Sequence, residues 1–257
     1  GTSLKEVVTK YNPDRILIEP SGVGKLSDVI KAVQGVEEDV DIQLNSYTTV
    51  VDAKKCKMYM RNFGEFFDNQ VQYAGAIIMS RTDIVDEKKA MESMELLRSI
   101  NEKAAIITTP IEKLDGKKIL EVMEHPVSLA DELLKEEHEH HHHDGECSCG
   151  CGHHHHHDHE GHHHADEVFT SWGKETIHTY TKDEVSAILK TLEEDGSYGN
   201  VLRAKGMVAG ADGEWIYFDM VPEEHEVRTG APEYTGRICV IGAELNEDKL
   251  AELFKLK

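Results

Sequence analysis

The sequence predicts an α/β protein: a parallel sheet with helices on both faces, followed by a small α+β domain. Three observations predict it. Up to about Leu134, short apolar runs alternate with helical stretches, the pattern of strands buried on both faces between crossover helices. From Lys135 to Asp166 the chain has no apolar periodicity and consists mostly of histidine, acid, cysteine and glycine. From Glu167 to Lys257 the periodicity returns. Three regions are therefore expected, 1–134, 135–166 and 167–257.

In the first region Leu4, Val7, Val8 and Tyr11 have helical spacing, and Asn12-Pro13-Asp14 breaks that helix. Arg15-Ile16-Leu17-Ile18-Glu19 is a short apolar run fit for a strand buried on both faces. Thr48 to Val51, Ala74 to Met79 and Ala104 to Ile107 repeat the signal. Helices are expected between them at Ser27 to Val36 and at Asp86 to Ile100, the latter with Met91, Met94, Leu97 and Ile100 on one face. In the third region Thr181-Lys182-Asp183-Glu184 is a capping box opening a helix with Val185, Ile188, Leu189 and Leu192 on one side. Strands follow at Val201 to Val208, Glu214 to Val221 and Arg237 to Ile241. A final helix starts near Asn246 and carries Leu250, Leu253 and Phe254.

Composition narrows the function. With 28 basic against 49 acidic residues the net charge is −21, which argues against nucleic acid or an anionic membrane as partner. No apolar run approaches the roughly eighteen residues needed to span a bilayer, and the N-terminus carries no signal pattern. Three of the five cysteines crowd into Cys147-Ser148-Cys149-Gly150-Cys151, which reads as metal ligation in an intracellular protein rather than a disulfide framework. A cytoplasmic location is expected.

The stretch Gly22-Val23-Gly24-Lys25 suggests a phosphate-binding loop, but chemistry rejects it. Such a loop needs Gly-x-x-x-x-Gly-Lys followed by Ser or Thr. Here Glu19 stands in place of the first glycine and Leu26 in place of the magnesium-binding hydroxyl. A carboxylate would repel the phosphate, and leucine cannot ligate a metal.

Four segments, in this order, resemble the CobW-type family of P-loop GTPases, linked to cobalamin synthesis and to delivery of cobalt, zinc or iron. They are "ILIEPSG", "VVDAK", "QVQYAGAIIMSRTDIVD", and "NVLRAKGMV" with "WIYFDMVP" after it. The resemblance implies an incomplete P-loop NTPase-like sheet followed by the family's C-terminal domain. It implies that Glu19, the candidate catalytic residue, orients Mg²⁺ or its waters, and that Gly22 lets the backbone approach the γ-phosphate. It also implies that Ser80-Arg81-Thr82-Asp83 stands where the guanine-reading Asn-Lys-x-Asp is expected. Asp83 keeps the carboxylate that accepts from guanine N1 and N2. Ser80 is too short to reproduce the paired donor and acceptor of an amide, and Arg81 can lie over the base. Asp83 can alternatively cap the following helix.

The family's Walker A loop and its Cys-x-Cys-Cys metal motif lie upstream of the Glu-x-x-Gly segment, and neither occurs in this chain. The chain alone is therefore expected to bind GTP poorly and not to turn it over measurably.

The tract from Lys135 to Asp166 holds 14 of the 17 histidines and eight carboxylates, with no basic residue after Lys135. Its candidate ligands are His138, His140, His141, His142, His143, Cys147, Cys149, Cys151, His153, His154, His155, His156, His157, His159, His162, His163 and His164. Imidazole and thiolate suit Zn²⁺, Co²⁺ or Ni²⁺ rather than Mg²⁺ or Ca²⁺. Surplus ligands without a packed scaffold imply several labile sites rather than one structural site. A tag would sit at a terminus as an unbroken block, unlike this internal, interrupted tract. Cys56 and Cys239 lack ligand partners nearby in sequence and read as core or half-buried thiols, His125 before Pro126 reads as a surface turn residue, and His178 and His225 read as structural. The expectation is a GTP-dependent metallochaperone acting with GTP and Mg²⁺ and passing metal to a client metalloprotein or metal-cofactor enzyme. The alternative is a non-enzymatic metal buffer.

Overall fold

The computed structural model describes residues 2–20, 22, 24–125 and 170–256. They fall into two units, Gly1–Pro126 with Pro232–Thr235, and Val127–Ala231 with Gly236–Lys257.

The first unit is built on a three-stranded parallel sheet in the order β1 (Thr48–Asp52), β2 (Ala76–Ser80), β3 (Ala105–Ile107). Helix α3 (Cys56–Gln72) links β1 to β2, and α4 (Glu87–Ile100) links β2 to β3. Parallel neighbours require such crossovers. The central strand β2 is apolar because both of its faces are covered. Ile78 packs with Ala105, Ile107 and Val122 of α5 (Gly116–Glu124), while Ile77, Met79 and Ile106 are buried on the opposite face. Asn101 stitches this unit together. Its amide nitrogen donates to the carbonyls of Val71, Gln72 and Ala74 at 2.8, 3.2 and 2.9 Å, and its oxygen accepts from the N–H groups of Lys103 and Ala104. The end of α3 and the entry to β3 are thus satisfied by one buried side chain.

Two helices precede the sheet. The first, α1 (Thr2–Tyr11), stops where expected, with Asn12 in the left-handed region at φ 41 and Pro13 after it. The second, α2 (Leu26–Glu37), buries Val33 and Val36.

The run Arg15 to Glu19, expected as a buried strand, is corrected. It belongs to no ladder, and Leu17 is 90% exposed and Ile18 45%. An apolar run becomes a buried strand only where neighbouring strands pair its backbone and elements cover its faces, and no described strand pairs with this one. Among the described residues most exposed large apolar side chains, including Leu17, Val50, Phe63 and Phe66, belong to this first unit.

The second unit is a six-stranded sheet with the path β4 (Thr170–Thr176), β9 (Gly236–Ala243), β6 (Asn200–Gly210), β7 (Trp215–Val221), β8 (Glu224–Gly230), in which short β5 (Thr179–Tyr180) pairs with β6. All of these pairings are antiparallel except β5 with β6. Helices α6 (Lys182–Glu194) and α7 (Glu247–Leu253) lie on one face, where Val185, Ile188, Leu189, Leu192 and Leu250 meet Val208, Ile216, Phe218, Ile238 and Val240. Gly206 of β6 lies under the Phe218 ring, and an added Cβ would sit 2.4 Å from it. Met207, Trp215, Cys239 and Ile241 form a smaller core on the other face. The expected capping box is present: Thr181 accepts from Glu184 N–H, and the Glu184 carboxylate accepts from Thr181 N–H. Asn246 caps α7.

Candidate functional site

The C-terminal ends of β1 and β2 bring Asp52, Ser80 and Arg81 together, with Thr82 and Asp83 in the turn that follows. Such ends are where open α/β sheets bind ligands. Asp52 pairs in register with Ser80. One Asp52 oxygen accepts from the N–H groups of Lys54 and Lys55 at 2.9 and 3.3 Å, which turns the chain into α3. The other lies 3.0 Å from the Arg81 guanidinium. The Ser80 hydroxyl donates back to the Val51 carbonyl at 3.3 Å. Arg81 sits in the left-handed region at φ 61, which bends the chain sharply off β2.

Asp83 is exposed in this turn, and among the described residues its carboxylate makes no hydrogen bond or ion pair. The cap of α4 is Asp86, which accepts from Lys89 N–H at 2.7 Å. The alternative role for Asp83 as helix cap is thereby corrected.

Glu19 and Gly22 lie in the segment leading to α2, both exposed. Glu19 forms no hydrogen bond among the described residues. An added Cβ at Gly22 would meet nothing within 4 Å, so the fold itself does not require glycine there. The segment is gripped by Gln70, whose amide donates to the carbonyls of Gly22 and Gly24 at 3.0 and 2.8 Å. Lys25, at the N-terminal end of α2, pairs with Glu65. The hydrogen bond that Lys25 donates to Glu65, and the charge of that carboxylate, hold the Lys25 ammonium above its usual value. This lysine is committed to α3, in keeping with the failed phosphate-loop pattern. Asn69 further ties α3 to α2 through Ser27, accepting from its N–H at 3.2 Å.

Sequence reasoning missed Asp52 as the partner of Arg81 and missed Gln70 as the anchor of the Gly22 segment. The terminal Asp of β1 was the one visible signal for the first, whereas Gln70 lies 48 residues from Gly22 and has no local signature.

Every candidate metal ligand from His138 to His164 lies outside the described residues. Among the described residues no group of three or more His, Cys, Asp or Glu is arranged to hold a metal ion. Cys56 and Cys239 are buried, and burial pushes the Cys56 thiol up to about 11, so it is an inert core thiol. His178 packs edge-on against Tyr180 with ring centroids 4.7 Å apart, and His225 Nδ1 lies 2.9 Å from a Glu193 oxygen. Among the described residues no helix is long and apolar enough to cross a membrane.

Comparison with known proteins adds the family. Residues 2–108 match the model of the CobW/HypB/UreG nucleotide-binding domain, and residues 169–256 match that of the cobalamin synthesis protein CobW C-terminal domain. Among solved structures the chain is similar to the Zn(II)-bound YjiA GTPase from E. coli, at 22% identity and TM-score 0.41, over 99% of this chain and 74% of that one. A Zn(II)-bound triple mutant of YjiA GTPase is similar at 21% identity and TM-score 0.39, over the same shares. No curated protein sequence matches. With both halves of the family's architecture matched in order, on either side of the histidine tract, this chain belongs to the CobW-type family.

Proposed function

We propose that the chain acts as a cytoplasmic metallochaperone, coupling a guanine-nucleotide site to the capture of Zn²⁺, Co²⁺ or Ni²⁺ and its transfer to a client metalloprotein. The observation that carries this reading is the tract at 135–166, dense in imidazole and thiolate and placed between the two family-matched regions. Its many ligands favour several exchangeable sites, and its carboxylates favour gathering divalent cations. Residues 1–134 would form the nucleotide side and residues 167–257 the client-docking side.

Three residues suit a nucleotide. Asp83 offers a base a carboxylate that is unpaired among the described residues, Glu19 an exposed carboxylate to Mg²⁺ or its waters, and Gly22 an open approach to phosphate. Lys25 does not suit phosphate, because Glu65 holds it. Bound GTP and Mg²⁺ would supply the energy of the switch. The 257 residues contain no Gly-Lys followed by Ser or Thr, and we expect no measurable GTP turnover by this chain alone. That same feature favours a second reading, a metal buffer whose nucleotide fold is inert.

Zinc titration by calorimetry, with and without GTP, tests both. Several zinc ions per chain, lost when the tract histidines and cysteines are replaced by alanine, support metal capture, and retention of zinc by that variant overturns it. Coupled zinc and GTP affinities favour the chaperone, and independent affinities favour the buffer.

A further inference from the structure

Residues 54–62, Lys-Lys-Cys-Lys-Met-Tyr-Met-Arg-Asn, hold four cations and no acid in a chain with 28 basic and 49 acidic residues. They form the turn after β1 and the first half of α3. Cys56 turns into the core. Lys57 and Arg61 stand one turn apart on the helix, with Met58 beside them and Lys54 in the turn before, and all four are exposed. Among the described residues the ammonium groups of Lys54 and Lys57 and the Arg61 guanidinium make no hydrogen bond or ion pair. Asp52, the nearest carboxylate in sequence, is committed to Arg81 and to the backbone N–H groups of Lys54 and Lys55.

The same strip is apolar. Met58 is 45% exposed, Phe63 49% and Phe66 40%. Lys55 Nζ lies 6.0 Å from the centre of the Tyr59 ring, which in turn lies 5.6 Å from that of Phe63. Directly after Phe63, α3 breaks at Gly64, with φ 36 and ψ −109. An added Cβ there would meet nothing within 4 Å, so the break and not close packing calls for glycine. Phe63 and Phe66 stand exposed on either side of it. Arginine, methionine and aromatic side chains are the types enriched where proteins meet.

We propose that the first half of α3 is a docking surface for an acidic helical segment of a partner protein. Its carboxylates face Lys54, Lys57 and Arg61, and its large apolar side chains cover Met58 and Phe63. Charge complementarity selects this occupant. An anionic bilayer or a nucleic acid would match the strip but is repelled by the net charge of −21. A short acidic segment interacts mainly with charges within a Debye length, about 8 Å at physiological salt. The apolar contacts supply affinity, and the cations steer and orient. This surface requires neither nucleotide nor metal, so it stands or falls separately from the function proposed above.

The probe is a helical peptide of about fifteen residues with glutamates and leucines on one face and alanine elsewhere. It is titrated into the full chain, and the amide shifts of residues 54–66 are followed. Binding should weaken about tenfold between about 0.05 and 0.3 M salt. Lys57→Glu combined with Arg61→Glu should weaken it by about tenfold or more. That double variant should instead bind the same peptide with lysine in place of glutamate, a gain that shows it is folded. Met58→Ser should weaken binding about threefold, and Lys190→Glu on α6 should leave it unchanged. No shift at these amides, unchanged binding by the double variant, or equal binding of a glutamate peptide without leucine each overturns the inference. So does binding to vesicles of phosphatidylcholine and phosphatidylserine, which makes the occupant a membrane. A dimer in sedimentation that the double variant dissociates also overturns it, because the occupant is then a second copy.

Discussion

The Arg81 guanidinium lies 3.0 Å from an Asp52 carboxylate oxygen, a cross-tie between the ends of two neighbouring parallel strands. The tie lies where the chain turns off β2. Arg81 adopts φ 61, a conformation that costs a residue with a side chain about 1–2 kcal/mol.

Substitution at 81 separates the tie from the turn. Both Arg81→Ala and Arg81→Gly remove the ion pair, which is half-exposed and worth at most about 1 kcal/mol. Glycine alone relieves the left-handed strain, so Arg81→Gly should be more stable than Arg81→Ala by roughly 0.5–1 kcal/mol. Urea unfolding followed by far-UV circular dichroism measures the difference. An alanine variant at least as stable as the glycine one would show that the left-handed geometry is not imposed.

Asn101→Ala should be far more damaging. It strips the donors from three carbonyls at the end of α3 and the acceptor from two N–H groups entering β3, at a cost of roughly 2–4 kcal/mol. Asn101→Asp, which cannot donate when ionised, should be no better. Amide exchange at Lys103 and Ala104, where the lost acceptor exposes two donors, reports the damage locally.

Stability of the second unit should depend on pH through Glu184. The hydrogen bond from Lys255, with those from Thr181, lowers this carboxyl from 4.5 to about 2. A group depressed on folding stabilises in full above its unfolded value and loses that contribution as pH falls through the folded one. The gap in urea midpoint between the parent chain and Glu184→Gln should thus hold steady at neutral pH, narrow below 4.5 and close near about 2. Indole fluorescence reads it, because Trp172 and Trp215 both lie in this unit. A gap independent of pH would remove Glu184 from the account.

Tyr234 is buried against Ile78, Ala105, Ile107 and Val122 of the first unit. Tyr234→Ala should cost that unit about 3 kcal/mol, in line with emptying an aromatic site. Faster amide exchange at Thr108 and Thr109, whose N–H groups both donate to the Tyr234 carbonyl, is the direct readout. Unchanged exchange there would deny this tyrosine a place in the first unit's core.

Strands β2 and β3 of the first unit were legible because they are buried on both faces and apolar up to Ser80. Arg15 to Glu19 carried the same signal and misled, since apolar composition reports suitability for burial and not the presence of a pairing neighbour. Strand β8 escaped for the opposite reason. As an edge strand it shows only Val227 half-buried, so Glu224, His225, Glu226 and Arg228 hide any alternation. At the site, the identities of Ser80, Arg81 and Asp83 could be assigned from motif order. Which of them stays free could not, because the partners Asp52 and Val51 stand 29 residues away in sequence.

Pro232 to Thr235 count with the first unit although the chain on either side belongs to the second. There Thr109 donates to the Glu233 carbonyl at 2.6 Å, the Thr108 and Thr235 hydroxyls meet at 2.9 Å, and Lys118 pairs with Glu233 at 3.2 Å. The two family regions are therefore not interchangeable cassettes. A chimaera that takes its C-terminal region from a relative also imports these four residues, so Thr108 and Lys118 should lose partners wherever the imported side chains differ from Thr235 and Glu233. Inheritance should keep these distant positions together.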